Sequence, residues 1–460
     1  MAIVTLPSTL ARLAAGRSEI EVEGATAVEL LRRLEEEHSS LRGWILDERG
    51  RLRTHVNLFI NDSPGSLESA VGPGDEVHVL QAISGGRPEP ATAQGDDREL
   101  ELLVGTKKGL LVLRGPRDRQ GGAMEVVARH FPGQVVEYAM RDPRIGPNGR
   151  TFASVTHGQF GPHLYYSDDL DGEWVEADGP AFPEDTGAAV DRTWVVEPGA
   201  ADGLLWAGVA PAALFRSTDG GASWELVRSL WDHPTRPRWE GGMGGLCLHS
   251  ICPWPGEPDR LAVAISAAGV WITEDGGASW ERGGRGLVPR YLPEEAREDA
   301  LMLCVHKMER TPLRPERLYC QFHGGVYRSD DRGVTWTDLH SEGGLPADFG
   351  FPIVVDPRDP ERAWVIPLVA DVDRVTPDGR LRVYETGDAG ATWQPRHRGL
   401  PQEGAYLTLL RQAFCHDGRD PLGLAFGTTS GDVFVSADAG ATWTTAARHL
   451  PPITSVRAAG

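Results

Sequence analysis

At 460 residues and a formal net charge of −20, the chain is too long for one ordinary core and too acidic for a nucleic-acid groove or a polybasic membrane-binding face. Its 56 glycines and 34 prolines are spread too evenly for low complexity, yet are dense enough to demand the many turns of a repetitive all-β protein. Five cysteines (Cys247, Cys252, Cys304, Cys320, Cys415) sit in apolar strand-like runs without paired zinc-type spacing and read as buried, reduced thiols.

The N-terminal "MAIVTLPSTLARLAAGRS" lacks a basic start and an unbroken apolar core, and no later stretch reaches about 18 uninterrupted apolar residues. The expectation is a soluble, cytoplasmic protein with no membrane partner. "AIVTLP" and "EIEVEG" alternate as short strands. In "TAVELLRRLEEEH", Thr26 stands as N-cap with Glu29 three residues on, a capping box ahead of Val28, Leu31 and Leu34 at helical spacing. "HVNLFINDS" and "GDEVHVLQAIS" supply two more strands. The order strand, strand, helix, strand, strand is that of an α+β β-grasp fold. Residues 1–86 contain no lysine, so such a domain cannot build lysine-linked chains on itself.

"VNLFIND", the turn "GPGDEVHVLQAISGG" and the diglycine Gly85-Gly86 resemble the ubiquitin-like sulfur carriers of the MoaD/ThiS family, especially the branch that supplies sulfur for cysteine synthesis. The resemblance covers residues 1–86. It implies that an adenylating, MoeB/ThiF-like activating enzyme uses ATP to activate the terminal glycine carboxylate, which becomes a thiocarboxylate, while the carrier binds no cofactor itself. Here Gly86 is followed by Arg87, so the carboxylate would have to be released by cleavage. Some related carriers are trimmed beyond the diglycine by a metal-dependent peptidase, and the resemblance implies the same partner.

Residues 87–98, "RPEPATAQGDDR", carry two prolines, small residues and charges without an apolar period, and read as a semi-extended linker. Downstream one pattern returns: "STDGGASW", "TEDGGASW", "SDDRGVTW", "TGDAGATW" and "SADAGATW", with "SDDLDGEW" as a worn copy. Their tryptophans, at 174, 224, 280, 336, 393 and 443, lie 50 to 57 residues apart, a period expected of propeller blades. The pattern resembles the Asp-box, or BNR, repeat of sialidases and many non-enzymatic propellers. Residues 99–115 supply two strands without a preceding inner strand, and "PPITSVRAAG" supplies an inner strand without a blade. If the C-terminal strand completes the first blade, residues 99–460 form a seven-bladed propeller without an exposed edge.

With that strand order the Asp boxes share one face, and the loops most suited to function share the other. The candidate ligand-binding residues there are His157, Arg192, Trp239, Glu240, Arg297 and His323, a set that suits a small anionic or sugar-like ligand better than nucleic acid. No histidine spacing demands a metal, and none is assigned. His249 and His306 occupy equivalent places in consecutive inner strands, where they either converge in the central channel or, more simply, line it through hydrogen bonds. A sialidase needs an arginine cluster, a glutamate-activated tyrosine and an acidic proton donor. That set is not recognised: "RDP" at Arg141 and Arg358 ends inner strands on the box face, so no catalytic residue is assigned.

The leading functional expectation is a sulfur carrier with Gly85, Gly86 and Arg87 as terminus and cleavage point, fused to a ligand- or protein-binding propeller. One alternative makes the propeller a hydrolase or lyase with the β-grasp domain as docking handle. Another makes the whole chain a non-catalytic scaffold with an uncleaved diglycine.

Overall fold

In β1 (Ala2–Thr5) and β2 (Glu19–Val22) every second side chain is buried, so the two strands pair antiparallel with Val4 opposite Ile20 and turn one apolar face inward. Helix α1 (Ala27–Glu37) covers that face. Thr26 caps it by accepting from the Glu29 amide at 3.5 Å, and the Glu29 carboxylate reaches back to the amide of Ala25 at 3.1 Å, one residue earlier than a regular capping box. The buried stripe is Ala27, Leu30, Leu31 and Leu34, so Leu31 and Leu34 face the core as their spacing suggests, while Val28 is only half-buried. Glu35, buried on the same side, accepts from the amides of Ile45 and Leu46 at 3.1 Å each.

Strands β3 (Val56–Ile60), β4 (Ser63–Pro64) and β5 (Glu76–Gln81) complete a mixed sheet of order β2-β1-β5-β3-β4. The parallel central pair β1 and β5 places Val4 opposite Val77. Val4, Leu30, Leu31, Leu34, Val77 and Val79 are all fully buried. Each such side chain contributes about 2 kcal/mol of burial, and Leu31→Ala would cost about 3 kcal/mol. This is a β-grasp domain.

The computed structural model describes every residue except 7–9, 12–13, 15, 43–44, 47–49, 51, 53–55, 62, 68, 82–98, 117–123, 147, 298–299, 340–342 and 460. Gly85, Gly86, Arg87 and the linker 87–98 therefore lie outside the described residues. The chain divides into two compact units, 1–94 and 95–460.

The second unit is all-β. Its described residues form seven four-stranded antiparallel sheets, six of them built from strands consecutive in the chain. The remaining sheet joins the ends: Ile453–Ala458 pairs with β6 (Leu100–Thr106), followed by β7 (Gly109–Gly115) and β8 (Glu125–His130). Val456 lies opposite Val104 and Ala458 opposite Leu102, so the innermost position of the first blade is filled by the last strand of the chain. Val104, Val435 and Val456 share one apolar cluster, which packs first blade against last.

Five of the recurring turns have one hydrogen-bond plan. Ser217 Oγ donates to Asp219 Oδ1 at 2.8 Å and accepts from the Gly221 amide at 2.9 Å, while the amide and hydroxyl of Ser223 donate to Asp219 at 3.0 and 2.6 Å. The plan recurs around Asp275, Asp331, Asp388 and Asp438. The aspartate thus satisfies turn amides that the sheet leaves unpaired. Glycine is needed at the fifth position because φ is +86° at Gly221 and +89° at Gly277. The worn copy differs: Ser167 Oγ donates to the carbonyls of Asp169 and Glu173. No helix among the described residues is long and apolar enough to cross a membrane.

Candidate functional site

Each third strand runs into a recurring Asp turn, so these turns lie on the face where the inner strands end. The opposite face carries the starts of the inner strands and the turns between second and third strands. One cavity lies on each side.

The cavity on the Asp-turn side, about 370 Å³, is lined by residues of all seven innermost strands, among them Arg141, Glu197, Cys252, Lys307, Val354, His416 and Arg457. Most of its charges are paired, while Arg310 donates to the carbonyls of Cys252 and Pro315. Arg457 pairs with Glu197 at 2.8 Å, the Tyr138 hydroxyl donates to the same carboxylate at 2.7 Å, and Lys307 lies 3.5 Å from Glu309. Such a closed set holds the inner strands together and leaves few charges for a ligand.

The cavity on the opposite face, about 360 Å³, is of a size that small-molecule sites use. Its apolar wall is Tyr291, Leu292, Met302, Phe349 and Phe351. Arg374 and Arg411 stand beside Phe351, their guanidinium carbons 5.3 and 5.1 Å from the ring centroid. Arg374 Nε donates to the Asp371 carbonyl at 2.8 Å, and Arg411 Nε is buried without a partner. Among the described residues neither guanidinium forms an ion pair, in contrast to the paired arginine of the other cavity. Glu240 and Asp371 line the same cavity, so two guanidiniums and two carboxylates stand against its aromatic wall.

Cys304, His306 and His323 converge in the same cavity, with one ligand atom from each lying within 4.8 Å of the others. Burial pushes the Cys304 thiol up, opposed by the Ser266 hydroxyl and by the charges of Arg411 and Arg374. Burial holds His306 well below the ordinary imidazole value, with Arg411 acting in the same direction, and it also lowers His323. Both shifts favour the neutral imidazole.

Of the six candidates read from the sequence, Glu240 and His323 line this cavity. Arg192 starts an inner strand on the same face, but its Nε pairs with Glu137 at 3.2 Å and its guanidinium covers Trp194, whose ring Arg411 also faces. Trp239 is only 6% exposed, packs on Trp271 at 5.2 Å and donates Nε1 to Thr235, so it is a core side chain. His157 lies apart, in a cluster with His163 and Tyr165. Arg297 fastens its own loop by donating to the Leu292 carbonyl at 3.0 Å. His249 and His306 are hydrogen-bonded, to the carbonyls of Val305 at 2.8 Å and Gly350 at 2.6 Å, and His306 also reaches the cavity. All five cysteines are free thiols. Sequence reading passed over Arg374, Arg411 and Cys304 as cavity residues. The available signal was position, since Cys304 and Arg411 sit just ahead of inner strands, and those starts converge on one face.

Residues 4–86 match the ThiS family. The sulfur carrier protein CysO of Mycobacterium tuberculosis is 29% identical over 89 residues, 18% of this chain and 96% of that protein. A crystal structure of an Amycolatopsis orientalis BexX/CysO complex matches 19% of this chain and 100% of the solved chain, at 29% identity and a TM-score of 0.18. An oligoxyloglucan-reducing end-specific xyloglucanase of Emericella nidulans is 26% identical over 221 residues, 41% of this chain and 25% of that protein. The chain thus spans about a quarter of that enzyme's length. The N-terminal domain is a ubiquitin-like domain of the ThiS/MoaD sulfur-carrier type, fused to a β-propeller.

Proposed function

We propose that the N-terminal domain is a latent sulfur carrier, activated by hydrolysis of the Gly86–Arg87 bond, and that the propeller is its ligand-binding half. The observation that carries the first part is the ThiS-family match, which runs through residue 86 and so ends on the diglycine. In the intact chain the Gly86 carbonyl is part of an amide and offers no carboxylate. Once freed, that carboxylate attacks the α-phosphate of ATP on a MoeB/ThiF-like activating enzyme, releasing pyrophosphate, and sulfide then displaces AMP to leave a thiocarboxylate. The side-chain-free tail suits a narrow enzyme channel. A metal-dependent peptidase is the proposed cleaving partner. The work belongs in the cytoplasm, where ATP and the activating enzyme are at hand.

For the propeller, Arg374 and Arg411, which form no ion pair among the described residues and stand beside Phe351, support a small ligand with an anionic head and an apolar body. The carrier reading is tested by incubating a 1–86 fragment and the full-length chain with ATP, a host activating enzyme and a sulfide source. Mass spectrometry should find the replacement of one oxygen by sulfur on the fragment alone. Failure of every such host enzyme to activate the fragment would leave the diglycine without a carrier role and favour the scaffold.

A further inference from the structure

We infer that Cys304, His306 and His323 form a site for a zinc-type divalent cation, with its remaining coordination position open to the cavity that holds Arg374 and Arg411. This inference is independent of the sulfur-carrier reading, because it concerns only the propeller.

The backbone fixes two of the three ligands. Strands Val305–Arg310 and Leu318–Phe322 pair with Val305 opposite Phe322, which sets Cys304 and His323 side by side just beyond the ladder, and the His323 amide donates to the Cys304 carbonyl at 3.0 Å. His306 enters from the same strand as Val305, two residues after Cys304. The three ligand atoms lie within 4.8 Å of one another. Tetrahedral zinc, with bonds of about 2.3 Å to sulfur and about 2.0 Å to nitrogen, sets the sulfur and nitrogen roughly 3.6 Å apart. Closing the difference takes about 1 Å of side-chain movement, within the reach of small χ rotations.

The surroundings of the ligands have the form that metal sites use. His306 Nδ1 faces the Gly350 carbonyl at 2.6 Å, and a carbonyl only accepts, so Nδ1 carries the proton and Nε2 keeps its lone pair. Asp371 Oδ2 stands 3.6 Å from His323 Nε2, a carboxylate placed to steady the second imidazole. The rings are held by aromatic neighbours: His306 lies 4.8 Å from Phe351 and 5.1 Å from Phe349, and His323 lies 4.5 Å from Tyr291.

The donor set selects the ion. One thiolate and two imidazoles suit zinc and its borderline-soft neighbours, whereas magnesium and calcium take oxygen ligands. On binding, the Cys304 S–H bond breaks, its proton passes to solvent, and the sulfur lone pair forms the metal bond. Three protein ligands with an open position are the pattern of zinc sites that hold a further ligand rather than of closed structural sites. Arg374 and Arg411 disfavour a bare dication nearby. The negative charge of the thiolate and an anion in the open position offset that repulsion, so metal and guanidiniums can grip one anionic group together.

The test uses the full-length protein, stripped of metal with a chelator and titrated with Co²⁺. A thiolate bound to cobalt absorbs in the near ultraviolet, and a tetrahedral complex absorbs in the visible. The expected result is a saturable sulfur-to-cobalt band that Zn²⁺ abolishes. Cys304→Ser should lose the near-ultraviolet band, and His323→Gln should weaken cobalt binding at least about tenfold, with circular dichroism melts confirming that both variants fold. Should Cys304→Ser fail to fold, His323→Gln, at a partly exposed position, carries the comparison. Absence of the band in the wild type, or its persistence in a folded Cys304→Ser, overturns the inference, as does unchanged affinity in His323→Gln.

Discussion

Lys307 Nζ donates to Gln412 Oε1 at 2.7 Å, and Gln412 Nε2 in turn donates to the His249 carbonyl at 2.8 Å. The three residues belong to different blades, so one side-chain bridge ties them across the interior. Lys307 is 4% exposed, one of three lysines in a chain that otherwise uses arginine. Lys307→Met keeps the volume but leaves Gln412 Oε1 unsatisfied and Glu309 without its cation, at a cost of about 2 kcal/mol. The exposed Lys107→Met should stay within about 0.5 kcal/mol of wild type. Equal urea midpoints for the two variants would remove the bridge from the list of stabilising contacts.

Closure of the ring rests on the last strand. Removing residues 453–460 strips β6 of its inner ladder and exposes the cavities left by Ile453 and Val456, both fully buried. Two such side chains are worth about 4 kcal/mol, so the melting temperature of the propeller should fall by roughly 5 °C. An unaltered melting transition would mean that the first blade is stable with three strands.

The Asp turns make a pH-dependent contribution whose sign follows from Asp275. Hydrogen bonds from the Ser279 hydroxyl and amide, then from Thr273, lower its carboxyl from 3.8 to about 2. A depressed folded-state pKa gives stability that is complete above the unfolded value and is lost as pH falls toward the folded one. Asp331, Asp388 and Asp438 are lowered too, burial being the largest influence on each and opposing the shift that their hydrogen bonds impose. Asp275→Ala should therefore melt below wild type at pH 7, and the gap should narrow between pH 3.8 and about 2. A gap that stays constant across that window would place the effect in turn geometry rather than in the charge.

Much of this architecture was legible because it is local. The Asp turns could be read from their spacing, since each one is satisfied by its own residues, and the closing strand could be inferred from an inner strand missing at residue 99 and spare at residue 453. On the helix, Leu31 and Leu34 are buried as their spacing suggests, and only Val28 is not, because packing against the sheet takes in Ala27 and Leu30 instead. The cavity was the least legible part. Cys304, Phe351, Arg374 and Arg411 come from separate blades and loops with no shared motif, and only ring closure brings them together. Trp239 illustrates the converse, a conspicuous aromatic in a polar loop that Trp271 draws into the core.

The two cavity arginines can be tested with a simple probe. Phenylacetate offers a carboxylate and an aromatic body matched to Arg374, Arg411 and Phe351, and its binding to the full-length protein can be followed by ligand-observed NMR. Arg411→Gln should weaken it by roughly tenfold or more, the worth of one charge-assisted hydrogen bond. Arg297→Gln, whose side chain fastens its own loop, serves as the control. Phenylacetate that binds both variants equally is held elsewhere, and the anion assignment then falls.

The carrier reading makes its sharpest demand on the protein in its own host. The residues after the diglycine, Arg87-Pro88-Glu89-Pro90, include two prolines that can continue neither a strand ladder nor a helix, so the sequence favours access by a peptidase. Cleavage at Gly86–Arg87 would release a carrier of 86 residues and a propeller that keeps its own closing strand, since Ile453–Ala458 pairs within the second unit. Intact-mass analysis of the native protein should therefore detect a species ending at Gly86, with or without sulfur in place of one carboxylate oxygen, together with a propeller fragment beginning at Arg87. Replacing Gly86 by proline at the chromosomal locus should abolish both species while leaving the propeller's melting transition in place. Recovery of full-length chain alone, under conditions in which the host is starved of reduced sulfur, would rule out the latent carrier and leave the β-grasp domain as a permanent docking module.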